Sequence, residues 1–171
     1  YVHFDGLVPA GPGAPVALAA AARAFLALPA GRQRRCRCER DLELLKALAD
    51  SPRFGSMELA RCAGRFIPRE ETQFAALTVL PGDGSVFLAF RGTDGTLVGW
   101  KEDFNLSFLD VTPAQLTAAE YIQTFAMEFP GSLRLGGHSK GGNLAVAGGA
   151  LCTVKVRDRI ETVWSFDGPG V

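Results

Sequence analysis

Apolar positions along this chain follow two rhythms. Over 15–28 and 41–49 they recur at helical spacing, with Leu18, Phe25 and Leu28 sharing one face and Leu44, Leu45 and Leu48 another. Pro29-Ala30-Gly31 and Ser51-Pro52 stop these helices, and 57–63 predicts a shorter third one. Thr72–Leu80 (TQFAALTVL) and 85–90 (SVFLAF) are β-leaning runs joined by Pro81-Gly82-Asp83-Gly84, a hairpin signal. Thr112-Pro113-Ala114-Gln115 reads as a capping box with proline at the first helical position, opening a helix to about Phe129. An alternating run from Leu133 predicts a strand, and the small-residue run after it predicts a helix to about Cys152. Ile160–Phe166 predicts another buried strand.

After the hairpin the order is helix, strand, helix, strand, which implies parallel strands with helices packed across them. The expected class is α/β, with a mostly parallel sheet, flanking helices and a helical N-terminal region, in a single domain over 1–171. Functional loops on such sheets gather at the carboxyl ends of the strands, where Thr93, Ser139 and Asp167 fall.

Between the strand at Leu133 and its helix sits Gly137-x-Ser139-x-Gly141, the spacing of a nucleophile elbow. The turn is so sharp that only glycine fits two positions before and after the serine. That geometry lifts the Ser139 hydroxyl off the sheet edge and makes the Lys140 N–H one donor of an oxyanion hole. The Lys140 side chain is expected to face solvent or substrate at the mouth of the site, and Asn143 to be a packing or loop-anchoring amide.

Charge and composition narrow the field. Eighteen basic residues balance eighteen acidic ones, so bulk electrostatics favour neither nucleic acid nor an anionic membrane. No apolar run is long enough to span a bilayer. The cluster Arg32, Arg34, Arg35, Arg37 and Arg40 reads as a solvated loop, since Glu39, Asp41 and Glu43 offset it and no aromatic residue interleaves it. The four cysteines, Cys36, Cys38, Cys62 and Cys152, read as scattered cytosolic thiols, which places the chain in the cytoplasm. Cys36-x-Cys38 is too tight for a zinc knuckle, and no metal or other cofactor is expected. Neither a Walker loop nor a dinucleotide fingerprint fits the glycines from Gly136 to Gly142.

Four runs carry a family likeness: Phe90-Arg91-Gly92-Thr93-Asp94, Gly99-Trp100-Lys101-Glu102-Asp103-Phe104-Asn105, Gly137-His138-Ser139-Lys140-Gly141-Gly142-Asn143-Leu144-Ala145, and Phe166-Asp167-Gly168-Pro169-Gly170. Together they resemble the Mbeg-like bacterial proteins of the α/β-hydrolase superfamily and, more remotely, the class-three lipases. The resemblance implies a serine hydrolase acting on an acyl ester or lipid. It makes Ser139 the nucleophile, and Thr93, through its N–H and hydroxyl, the second oxyanion donor. Trp100 and Asp103 would brace the Thr93 loop. Asp167 stands where pancreatic-type lipases carry the acid, and Asp167-Gly168-Pro169 reads equally as a turn built by aspartate.

A serine needs a base. His138 abuts Ser139 and is expected to point into the packing beneath, while His3 precedes every strand. Hydrolases of this type run Ser, Asp, His in chain order. The base is therefore expected beyond residue 171, together with the remaining strands of the sheet. The alternative is a catalytically inactive hydrolase fold that binds lipids or proteins.

Overall fold

Chain connections decide which strands of this protein run side by side in which sense. The computed structural model describes residues 6–33 and 40–171; His3, the arginines at 34, 35 and 37, and Cys36-x-Cys38 lie outside the described residues. The chain forms two units, Tyr1–Cys62 with Thr78–Asp83, and Ala63–Leu77 with Gly84–Val171. Six strands are hydrogen-bonded in sequence order.

In the first unit β1 (Val16–Ala17) pairs antiparallel with β2 (Glu58–Ile67), whose residues from Ala63 on belong to the second unit, Val16 opposite Leu59. Helices α1 (Leu18–Leu26), α2 (Ala30–Gln33) and α3 (Arg40–Asp50) complete it. Ala21, Ala22 and Phe25 of α1 are buried, as are Leu45 and Ala49 of α3. Gln33 Nε2 donates to Leu26 O and Leu28 O, closing the end of α1. Two expectations fail here. The stretch 57–63 is not a helix but the start of β2, because pairing with β1 buries Leu59 and overrides local propensity. Leu44 is exposed rather than buried, since the narrow contact face of α3 is filled by Leu45 and Ala49.

The second unit contains most of β3 (Thr72–Leu80), then β4 (Val86–Phe90), α4 (Leu97–Asn105), α5 (Pro113–Glu128), β5 (Leu133–His138), α6 (Lys140–Leu151), α7 (Val154–Arg157) and β6 (Ile160–Phe166). Strands β4, β5 and β6 are parallel, each joined to the next through helices. The sheet as a whole is mostly antiparallel, correcting the expectation of a mostly parallel one. The reason is connection length: the short links after β2 and β3 allow only antiparallel return, whereas a parallel return needs a crossover.

Val86, Leu88, Phe90, Leu133 and Leu135 alternate inward to build the core. Helix α5 lies against α6 so closely that a Cβ on Gly148 would stand 2.9 Å from the Ala118 Cβ. The capping box at Thr112 is formed as its spacing predicts, with the Thr112 hydroxyl accepting from Gln115 N and the Gln115 side chain accepting from Thr112 N. Strand β6 forms over the expected residues but is exposed from Glu161 onward, not buried, because it is the last strand in the sheet order and is paired along one edge.

Candidate active site

Ser139 occupies the single residue between β5 and α6, with φ 54° and ψ −131°. L-residues rarely adopt this conformation, which costs on the order of 1–3 kcal/mol wherever surrounding structure enforces it. What enforces it is visible. Ser139 N–H donates to Phe166 O at 2.8 Å, and Ser139 O accepts from Gly142 N–H at 2.8 Å and Asn143 N–H at 3.3 Å. Strand end and helix start are thus clamped around one residue, whose side chain stays partly accessible.

The flanking glycines are required by space. A Cβ on Gly137 would sit 2.6 Å from Phe90 O and on top of the Gly141 carbonyl, and a Cβ on Gly141 would collide with Phe90 O and lie 2.9 Å from Arg91 C. All of these are backbone atoms that cannot swing aside. Gly141→Ala is expected to cost about 2–3 kcal/mol by overpacking, measured as a lower urea midpoint; an unchanged midpoint would show that the elbow can open.

The register Phe90 opposite Gly137 and His138 opposite Phe166 aligns the carboxyl ends of β4, β5 and β6. Thr93, Ser139 and Asp167 follow those three ends. The Thr93 hydroxyl donates to both Asp103 carboxylate oxygens, at 2.7 and 2.6 Å. Asp103 therefore braces the loop, while Trp100 stands exposed on α4. Asp94 Oδ1 accepts from Thr96 N and Thr96 Oγ1, and the Thr96 hydroxyl in turn caps α4 by accepting from Gly99 N–H.

Asp167 is exposed, with φ 50°. Its Oδ2 lies 3.9 Å from His138 Nε2, and the His138 side chain is 60% exposed. That corrects the expectation that His138 points into the packing: the last position of β5 reaches past the layer that buries Leu133 and Leu135.

The largest departure concerns the Lys140 side chain. Instead of facing solvent or substrate, it is 1% exposed and donates to Gln73 O at 2.6 Å, Gln73 Oε1 at 2.8 Å and Glu102 Oε2 at 2.6 Å. Glu102 Oε2 also accepts from Gln73 N–H at 3.1 Å, and Asp94 N–H donates to Gln73 Oε1 at 3.2 Å. Burial pushes the Glu102 carboxyl above its ordinary value, and Lys140 partly offsets this. The sequence assigns no role to Gln73 or Glu102; the signals it carries are the Gly-Trp-Lys-Glu-Asp-Phe-Asn run that contains Glu102 and the run Glu71-Thr72-Gln73-Phe74-Ala75, which also fits the family likeness. Thr96 and helix α4 were likewise missed, though Thr96 stands three residues before Gly99 as an N-cap should.

The family model for Mbeg1-like proteins matches residues 48–171. The chain belongs to the Mbeg1-like family. No curated protein and no solved structure matches it. The Mbeg1-like match takes in every residue of the geometry above, from Gln73 through Thr93, Glu102 and Ser139 to Asp167.

Within this Mbeg1-like segment, Asn143 anchors the loop after β6, as its position one turn into α6 suggests. Its Nδ2 donates to Gly170 O at 2.9 Å and Pro169 O at 3.3 Å, and its Oδ1 accepts from Gln115 Nε2 at 2.8 Å. The α5 capping residue, the elbow helix and the Asp167 loop are thereby linked through one amide. Among the described residues, no helix is long and apolar enough to cross a membrane, and no group of His, Cys, Asp and Glu is placed to hold a metal ion. Neither Cys62 nor Cys152 forms a disulfide. Burial pushes the Cys152 thiol up to about 11, keeping it in the unreactive thiol form.

Proposed function

We propose that this chain is a serine hydrolase of the α/β-hydrolase superfamily, cleaving an acyl ester or thioester through an acyl-enzyme on Ser139. The observation that carries the reading is the backbone of Ser139, a non-glycine residue at φ 54° held between strand and helix. Strain of that kind clusters at reactive positions. The Ser139 oxygen attacks the acyl carbon as its proton passes to a base; the bond to the leaving oxygen or sulfur then breaks, and the leaving group takes up that proton. Water repeats the sequence on the acyl-enzyme, releasing the acid and restoring Ser139.

Backbone N–H groups of Thr93 and Lys140 are the proposed oxyanion donors. The Thr93 hydroxyl is left out of this role, since it donates to Asp103. Asp167 is the proposed acid and a histidine beyond residue 171 the proposed base, in the chain order Ser, Asp, His. A cytoplasmic setting belongs to the same reading. A second reading, an inactive hydrolase fold that binds lipids or proteins, is favoured by one observation. The only histidine among the described residues is His138, which neighbours Ser139 in sequence and lies beside Asp167.

The deciding experiment is labelling of the naturally encoded protein with a fluorophosphonate, followed by peptide mapping. Adduct on Ser139 supports the hydrolase. A folded protein that takes up no label supports the binding role.

A further inference from the structure

An ammonium group has three N–H donors, and a buried one must spend them all. Lys140 spends its donors on Gln73 O, Gln73 Oε1 and Glu102 Oε2, so none remains for a substrate. The Gln73 amide oxygen also accepts the Asp94 N–H. Asp94 directly follows Thr93, and Lys140 directly follows Ser139. One side-chain oxygen on β3 therefore bonds to the side chain of one proposed oxyanion donor and to the backbone neighbour of the other.

We propose, resting on the hydrolase reading, that Gln73 is a positioning residue whose amide oxygen fixes the gap between Thr93 N–H and Lys140 N–H. Its setting leaves little play. Gln73 and Lys140 are each 1% exposed and Glu102 is 0% exposed. The start of α4 presses on the same point: a Cβ on Gly99 would stand 2.8 Å from Asp94 Oδ1 and 3.3 Å from Gln73 Oε1. One acceptor, the Gln73 amide oxygen, thus stands between the two loops and bonds to both.

Gln73→Met removes the shared acceptor at nearly constant length, leaving Lys140 bonded to Glu102 and to the backbone carbonyl at position 73. Glu102→Gln is the control, since it spares both bonds to the amide oxygen. For each variant of the naturally encoded protein, active sites are counted by fluorophosphonate titration. Then kcat per site, KM for an activated ester and affinity for a trifluoromethyl ketone, which adds to the serine as an oxyanion, are measured.

Gln73→Met is expected to lower kcat per site by about 10- to 100-fold with KM little changed, and to weaken the ketone by the same factor. Glu102→Gln is expected to lower the melting temperature and to lower kcat per site by less than the Gln73 variants do. Gln73→Leu, read the same way, serves if Gln73→Met does not fold. An active wild type whose Gln73 variants keep kcat per site and ketone affinity overturns the positioning role and leaves the hydrolase intact. Equal kcat losses in the Gln73 variants and Glu102→Gln also overturn it. A wild type with no Ser139-dependent turnover overturns the hydrolase reading, and this inference with it.

Discussion

Ser139→Gly is expected to abolish ester hydrolysis and, at the same time, to make the protein more stable. Glycine reaches φ 54° without the Cβ clash that serine suffers there. Relief of backbone strain is worth about 1–3 kcal/mol. Glycine also loosens the unfolded chain, which takes back about 0.4–1 kcal/mol. The net gain is about 1 kcal/mol, or a rise of roughly 2–4 °C in melting temperature for a chain of this size. Activity moves the other way, by as much as about 10⁶-fold in kcat, the scale seen when a triad nucleophile is removed. Ser139→Ala separates the two effects. It removes the hydroxyl but keeps a Cβ, so activity falls equally while stability stays near that of the wild type. Melting curves and esterase rates of the three proteins check this. A glycine variant that is less stable than wild type, or one that still turns over, would count against a strained nucleophile.

Features whose cause is local were legible in the sequence. The capping box at Thr112 and Gln115 needs residues three apart, and the elbow needs glycines two before and two after Ser139. The loop-anchoring role of Asn143 followed from its place on the elbow helix. What could not be read depended on partners far along the chain. Strand β2 exists because Val16 and Ala17 lie opposite Leu59 and Glu58. Lys140 is buried because Gln73 and Glu102, 67 and 38 residues away, converge on its ammonium group. A lysine is almost never fully buried without such partners, so its position in the motif alone pointed outward. The sheet was misjudged for a related reason. Helical crossovers announce parallel strands, but the sense of the N-terminal strands is set by short links around β2, whose first residues carry a local pattern that predicts a helix.

The same convergence makes Lys140→Met a strongly destabilising change. Glu102 keeps a carboxylate that is 0% exposed and loses its only cation within ion-pair distance among the described residues. Removing one partner of a buried pair typically costs about 3–5 kcal/mol, because the other charge is left uncompensated. The double change Lys140→Met with Glu102→Leu should recover most of that loss, since no charge then remains to desolvate. The loss must also depend on pH. Burial already raises the Glu102 carboxyl above 4.5, and Lys140 is what pulls it back. Without Lys140 the folded-state value rises further. A folded state that holds its proton more tightly than the unfolded chain is stabilised at low pH, and that advantage is lost as pH climbs from about 4.5 through the folded value. Urea midpoints at acidic and mildly alkaline pH measure it. The gap between Lys140→Met and wild type should be small in acid, where Glu102 is protonated, and widen as pH rises. A gap that is the same at both ends would mean that Lys140 supports the fold through packing rather than by neutralising Glu102.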